Sequence, residues 1–132
     1  MTTTPQLLRE SARAPYSLLA KELGISESAV RKRIAKLVRK GVIRRFTIEY
    51  SLENEVRAAI LVKTSPQVPV PEVSKEILKV GWVEAVYEVT GEYDILAMIR
   101  ATSTRDVNDY IDRIRAVKGV TGTYTLVVLR MW

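Results

Sequence analysis

The 132-residue chain contains no cysteine and no histidine. Without cysteine there is no disulfide framework and no thiolate metal site, and without histidine the commonest metal ligand and general base is missing. Most hydrolytic chemistry goes with them, and neither a cofactor nor a metal is expected. Long apolar runs are also lacking: none reaches the roughly 18 residues that span a bilayer. The Met1 to Gln6 start has no charged-then-apolar signal pattern. A cytoplasmic protein with no membrane partner is the expectation. What is present is a soluble mixture, 47% hydrophobic and 27% charged, so the chain should fold.

Charge is unevenly placed. Residues 1–50 hold 11 Lys/Arg against 4 Asp/Glu, a net +7, while residues 51–132 hold 10 against 11, a net −1. A basic segment beside a neutral one points to an acidic polymer as partner of the first half only.

From Leu7 to Gly41 the pattern reads as three short helices. Leu7 and Leu8 open an apolar pattern that Pro15 interrupts, because proline lacks a backbone donor and biases Ala14 away from helix. Tyr16 to Leu23 is a second helix. Gly24 suits a left-handed cap, Ile25 is apolar within the turn, and Ser26 is a good N-cap for a third helix over about Glu27 to Lys40. So short a turn between two helices defines a helix-turn-helix candidate. Val30, Ile34 and Leu37 share the buried face of the third helix, and Ser28, Arg31, Lys32, Lys36 and Arg39 the exposed one, with Arg33 at the margin. Val42 to Tyr50 alternates loosely, as a wing strand or linking strand would.

Downstream, the run Ala58 to Thr64 matches Leu96 to Thr102 at an offset of 38 residues. Each is followed by a helical pattern, with Val73, Ile77 and Val80 in one and Val107, Ile111, Ile114 and Val117 in the other. Each pattern stops at a glycine, Gly81 or Gly119, and a strand follows, Val83 to Val89 or Val120 to Arg130. A βαββαβ domain results. Pro71 suits a first helical position, and Ser103 or Thr104 could cap the second helix. The fold class is therefore α+β, with a helix-turn-helix domain over 1–44, a linker strand over 45–55 and a ferredoxin-like domain over 56–132.

A helix-turn-helix places its second helix in the DNA major groove, where early exposed residues reach base edges. Here those are Ser28, Arg31 and Lys32. Arginine and lysine donate to guanine acceptors, while Arg33, Lys36 and Arg39 suit phosphates, and Tyr16, Ser17 and Lys21 could clamp the backbone. A cationic helix face is by itself often merely solvated. The capped turn, the apolar stripe and the local charge coincide here, which favours double-stranded DNA as partner.

The stretch from Leu19 to Ile34, then Gly41, Val42 and Ile43, closely resembles the winged helix-turn-helix of Lrp/AsnC-type regulators. Val89-Thr90-Gly91-Glu92-Tyr93-Asp94 and Gly119 to Thr125 resemble the two signature segments of that family's amino-acid-sensing domain, known as the RAM type. The resemblance implies a transcription regulator whose βαββαβ domains pair through their sheets into homodimers, which assemble further into tetramers or octamers. It also implies an amino-acid effector bound at contacts between dimers. By matching motif positions, Gly91, Tyr93, Asp94, Thr123 and Thr125 become the candidate effector contacts. A carboxylate can accept from an α-ammonium, and hydroxyls can meet an α-carboxylate. Gly91 and Asp94 are equally ordinary turn residues, and Thr123 and Thr125 ordinary strand residues. Family members usually begin with a longer first helix than Met1 to Gln6 permits, so the expectation is either a shortened first helix or a start truncated from the gene product.

Trp82 and Tyr87 read as core or interface aromatics rather than ligand-stacking ones. Asp106, Asp109 and Asp112 follow helical spacing and read as solvated, giving little support for a metal. Two other function classes are open. An enzyme on a ferredoxin-like dimer lacks a nucleophile, a phosphate loop and a carboxylate pair. A metabolite-binding oligomer without specific DNA binding leaves the cationic helix face without a purpose.

Overall fold

The computed structural model describes residues 3–132. Two compact units make up the chain, Met1–Tyr50 and Ser51–Trp132.

The first unit holds α1 (Thr4–Glu10), α2 (Tyr16–Leu23) and α3 (Glu27–Arg39). The first helix starts ahead of Leu7. Thr3 and Gln6 form a capping box in which the Thr3 N–H donates to Gln6 Oε1 at 2.8 Å and the Gln6 N–H to Thr3 Oγ1 at 3.4 Å. Two otherwise unpaired donors of the first turn are thereby satisfied. Leu8, Leu19, Ala20, Val30 and Ile34 form the buried core, with Leu23, Ile25 and Ile43 packed against it. Between α2 and α3, Gly24 adopts φ 68°, and its N–H donates to the Ala20 carbonyl. A side chain at that φ would be strained, whereas glycine is not. The Ile25 N–H also reaches the Ala20 carbonyl, at 3.1 Å, which turns the apolar Ile25 inward. Ser26 Oγ then accepts from the Ala29 N–H at 3.1 Å and starts α3.

The wing strand expected over Val42 to Tyr50 and the linker strand expected over 45–55 do not form; among the described residues no strand begins before Val56. The alternation itself is present, with Val42, Phe46, Ile48 and Tyr50 apolar and exposed. A strand is stabilised by a ladder partner, however, and none of the described residues pairs with this segment.

The second unit runs β1 (Val56–Thr64), α4 (Val70–Ile77), β2 (Val83–Glu88), β3 (Ile95–Ala101), α5 (Thr104–Arg115) and β4 (Val120–Val127). Its sheet is antiparallel with order β2-β3-β1-β4, the ferredoxin-like arrangement. Pro69 and Pro71 bracket the start of α4, while Ser103 Oγ accepts from the Asp106 N–H at 3.2 Å to cap α5. The last strand stops at Val127 rather than Arg130. Val128 still donates to the Arg57 carbonyl at 2.9 Å, just past the last ladder pair, Ala58 with Val127.

One sheet face is packed. Ala58, Ile60 and Val62 of β1 and Ile95, Ala97 and Ile99 of β3 are buried with Val73 and Ile77 of α4 and Val107 and Ile114 of α5. This face corrects the register of the sequence repeat. The 38-residue offset aligns Ala58, Ile60 and Val62 with Leu96, Met98 and Arg100, which lie on the opposite face of β3. Side chains alternate between faces, so a one-residue error exchanges inside for outside. On that opposite face Leu61, Leu96 and Met98 are half-buried, and Tyr87, Tyr124 and Leu126 are exposed. No helix among the described residues is long and apolar enough to cross a membrane.

Candidate DNA-binding and effector sites

Along α3, Ser28, Arg31, Lys32, Lys36 and Arg39 are exposed, while Val30 and Ile34 are buried, so the cationic residues share the outward face. The Arg31 guanidinium lies 5.3 Å from the centre of the Tyr16 ring at the start of α2. Ser17 and Lys21 are exposed on α2, and Tyr16 is half-buried. Ser28 Oγ sits 3.3 Å from the capping Ser26 Oγ, so it is engaged with the helix start. Arg33 stands apart from this face: with Thr3, Leu7, Leu23 and Leu37 it lines a depression of about 460 Å³. An open groove of about 1300 Å³ between α1 and residues 42–49 carries Arg9, Arg13, Arg44 and Arg45 beside Glu10 and Glu49. Arg44 and Arg45 follow the expected recognition helix and escape a search confined to helical faces.

The hairpin between β2 and β3 holds three of the candidate effector residues. Gly91 has φ 114°, a conformation glycine alone adopts without strain. The Val89 N–H donates to the Asp94 carbonyl at 2.9 Å, and the Asp94 N–H to the Val62 carbonyl at 2.9 Å. Asp94 Oδ2 accepts from the Thr64 N–H at 2.8 Å and from Thr64 Oγ1 at 3.0 Å. These two Thr64 bonds, backbone first, hold the Asp94 carboxyl below the usual carboxylate range; burial opposes them and the Lys63 charge assists. One Asp94 oxygen is therefore committed to the end of β1.

Tyr93 stands 6.3 Å, ring centre to ring centre, from Tyr124 of β4. Thr123 and Thr125 pair with Val62 and Ile60 across β1 and so face the helices, and Thr123 Oγ1 accepts from Arg115 Nε at 3.2 Å. Asp94 and Thr123 thus flank the same end of β1 from either side. Thr125 lies two residues farther along, and Tyr124 points to the other sheet face. Thr64, Tyr124 and Arg115 are the neighbours that sequence reading missed. Tyr124 lay between the two chosen threonines, but nothing local marks Thr64 or Arg115.

A buried charge cluster was missed as well. Arg100, with its side chain 4% exposed, donates through Nη1 to both Glu55 oxygens at 2.8 and 3.0 Å and through Nε to Glu84. Its guanidinium also lies 5.7 Å from the Trp82 ring, and Glu55 accepts from Arg57 Nε at 3.2 Å. Burial disfavours charge on Arg100, but Glu84 and Glu55 outweigh it and raise its pKa. Burial likewise pushes the Glu55 carboxyl up, and the bonds and charge of Arg100, aided by Leu52 and Arg57, bring it below its ordinary value. The carboxylates of Glu55 and Glu84 offset the buried Arg100 charge, and Arg57 extends the network to Met131 Sδ at 3.2 Å. Trp82 is half-buried beside the Arg100 guanidinium, and Tyr87 is exposed on β2. Asp106 accepts from Thr102 Oγ1 at 2.7 Å at the start of α5, and no grouping of acidic residues among the described residues could hold a metal ion.

Two family models match the chain: residues 6–44 match a winged helix-turn-helix DNA-binding domain, and residues 57–132 match the Lrp/AsnC ligand binding domain. Among curated relatives, the HTH-type transcriptional regulator LysM of Saccharolobus solfataricus is 54% identical over 127 residues, 96% of this chain and 89% of the relative. The LysM regulator of Sulfurisphaera tokodaii is 57% identical over 127 residues, 96% of this chain and 91% of that one. Among solved structures, a feast or famine regulatory protein from M. tuberculosis complexed with L-methionine superposes with a TM-score of 0.83 at 27% identity, covering 96% of this chain and 88% of the other. E. coli AsnC gives 0.75 at 25% identity, with 96% and 87% covered. These relatives are regulators and not enzymes, and the helix-turn-helix and ferredoxin-like units occur here in the same order. The chain is a member of the Lrp/AsnC family of transcriptional regulators.

Proposed function

We propose that the protein is a sequence-specific, cytoplasmic DNA-binding regulator whose operator occupancy responds to an amino acid bound at contacts between dimers. The observation that carries the DNA reading is the outward face of α3, where Arg31, Lys32, Lys36 and Arg39 are exposed opposite a buried stripe. Arg31 and Lys32 read base edges; Lys36 and the α2 residues Ser17 and Lys21 meet phosphates. Arg33, turned away from this face, contributes to the local field rather than to a base contact.

The effector reading rests on Asp94 and Thr123, which flank one end of β1, with Gly91 and Tyr93 in the adjoining β2–β3 hairpin. The L-methionine complex of the mycobacterial relative supports an amino acid as the class of effector. Homodimers form through the open sheet face of Leu61, Leu96, Met98, Tyr124 and Leu126, and further assembly to tetramers or octamers completes the effector site. A two-fold dimer matches a pseudo-palindromic operator. Coupling is reciprocal, so an effector that loosens DNA binds less well to the DNA-bound protein.

The test measures binding to duplexes from the chain's own promoter region over a salt series, for the parent, Arg31→Ala and Lys32→Ala. Loss of one good base contact lowers discrimination by about 1–3 kcal/mol. Sequence-indifferent binding by all three proteins would leave a metabolite-binding oligomer without specific readout. Thermal shifts with the common amino acids, compared between the parent and Asp94→Ala, test the effector. A parent that shifts with none of them would reduce the second unit to an assembly module.

A further inference from the structure

Tyr16 and Arg31 form a pair that a recognition role for Arg31 alone leaves unexplained. Tyr16 is the first residue of α2, and its ring packs half-buried against the helix-turn-helix core. Arg31 is one turn into α3, exposed, with its guanidinium 5.3 Å from the ring centre. A free arginine on a helix surface samples many rotamers, whereas a bidentate contact to a guanine needs its planar fork in one orientation. The face of an aromatic ring attracts a cation, and a ring anchored in the core does not move with it.

We infer that Tyr16 is a positioning residue for base readout: its ring holds the Arg31 guanidinium on the outward face of α3 before DNA arrives and so sets the sequence preference of that helix. This rests on the proposed readout by α3 and adds the residue that prepares it. Ordering Arg31 in the free protein lowers the entropic cost of the contact. A hydroxyl on a phosphate, the other role open to Tyr16, acts on every sequence alike. The two roles therefore differ in what they do to specificity.

The test uses the full chain and two duplexes, one selected by the parent from a randomised pool and one scrambled at equal length and composition. Dissociation constants over a salt series are compared for the parent, Tyr16→Phe, Tyr16→Leu, Arg31→Ala and the double variant Tyr16→Leu/Arg31→Ala. Tyr16→Gln serves as a second ring-free variant should the leucine variant melt early. Removing the ring is expected to lower the ratio of the two affinities roughly two- to five-fold with the salt slope unchanged. Tyr16→Phe keeps the ratio because the ring face remains, and Tyr16→Leu adds nothing on top of Arg31→Ala. Equal weakening on both duplexes by Tyr16→Phe and Tyr16→Leu would instead assign the hydroxyl to a phosphate and overturn the inference. So would an unchanged ratio in both ring-free variants, or full additivity in the double variant. A parent that selects no sequence at all defeats the proposed function and this inference together; a selective parent with an indifferent Tyr16 defeats the inference alone.

Discussion

Asp94 holds the β2–β3 hairpin to the end of β1, since one of its oxygens takes both Thr64 donors. A motif match made it a candidate for the effector's ammonium group, and only its second oxygen is left for that role. The Thr64 partner is 30 residues away in sequence, beyond the reach of any local pattern. Because the folded-state pKa lies below the ordinary 3.8, these bonds stabilise the folded chain fully above that pH. They are lost as pH falls through the depressed value. Glu55, depressed from its ordinary 4.5 by Arg100, acts in the same direction. Asp94→Asn is therefore expected to be less stable than the parent at neutral pH and to lose less stability on acidification below pH 3.8, with the Glu55 slope remaining. Urea midpoints measured from pH 7 to pH 2 check this; parallel curves for the two proteins would show that the carboxylate contributes nothing.

At the scale of elements, the turn between α2 and α3 was legible in full. Gly24, Ile25 and Ser26 each have a local reason for their place, and the structure uses all three. Ser26→Ala removes the bond to the Ala29 N–H and is expected to cost about 1 kcal/mol. A lower midpoint for loss of helical circular dichroism, with Ser26→Asp close to the parent, is the expected result. An unchanged midpoint in Ser26→Ala would show that water replaces the cap. Strands were read less well, for two physical reasons. Alternation over 42–50 is real, but a strand also needs a ladder, and no described residue supplies one. The repeat identified both βαβ halves yet misaligned β3 by one residue, because in the apolar run Ile95–Ala101 both faces carry apolar side chains. Arg100 is buried in that run and held by carboxylates from two other segments, so its polarity did not mark the solvent side.

At the level of the whole molecule, the open sheet face is an apolar surface that no helix of the second unit packs against. Tyr87, Tyr124 and Leu126 are exposed there beside half-buried Leu61, Leu96 and Met98, an apolar patch that a monomer would leave against water. A second copy of the chain is the proposed cover. Leu126→Asp places a charge within that face without touching the helix-packed core. It is expected to weaken dimerisation by at least about tenfold, since an unpaired charge in an interface centre is costly. Light scattering should then report the monomer mass at concentrations where the parent is dimeric, with an unchanged circular dichroism spectrum. A parent-like mass for Leu126→Asp would place the dimer contact elsewhere.

Local patterns along the chain were enough for the order of units, the helix-turn-helix with its caps, the cationic face of α3, the βαββαβ succession and the family. Each depends on periodicity, end-capping chemistry, local charge or a contiguous motif, all of which act over a few neighbouring residues. Folding in three dimensions was needed to show that Asp94 serves Thr64, that Thr123 serves Arg115, that Tyr16 lies under Arg31, and which face of β3 is inside. Those facts depend on strand register and on contacts between segments far apart in the chain, where geometry rather than adjacency selects the partner.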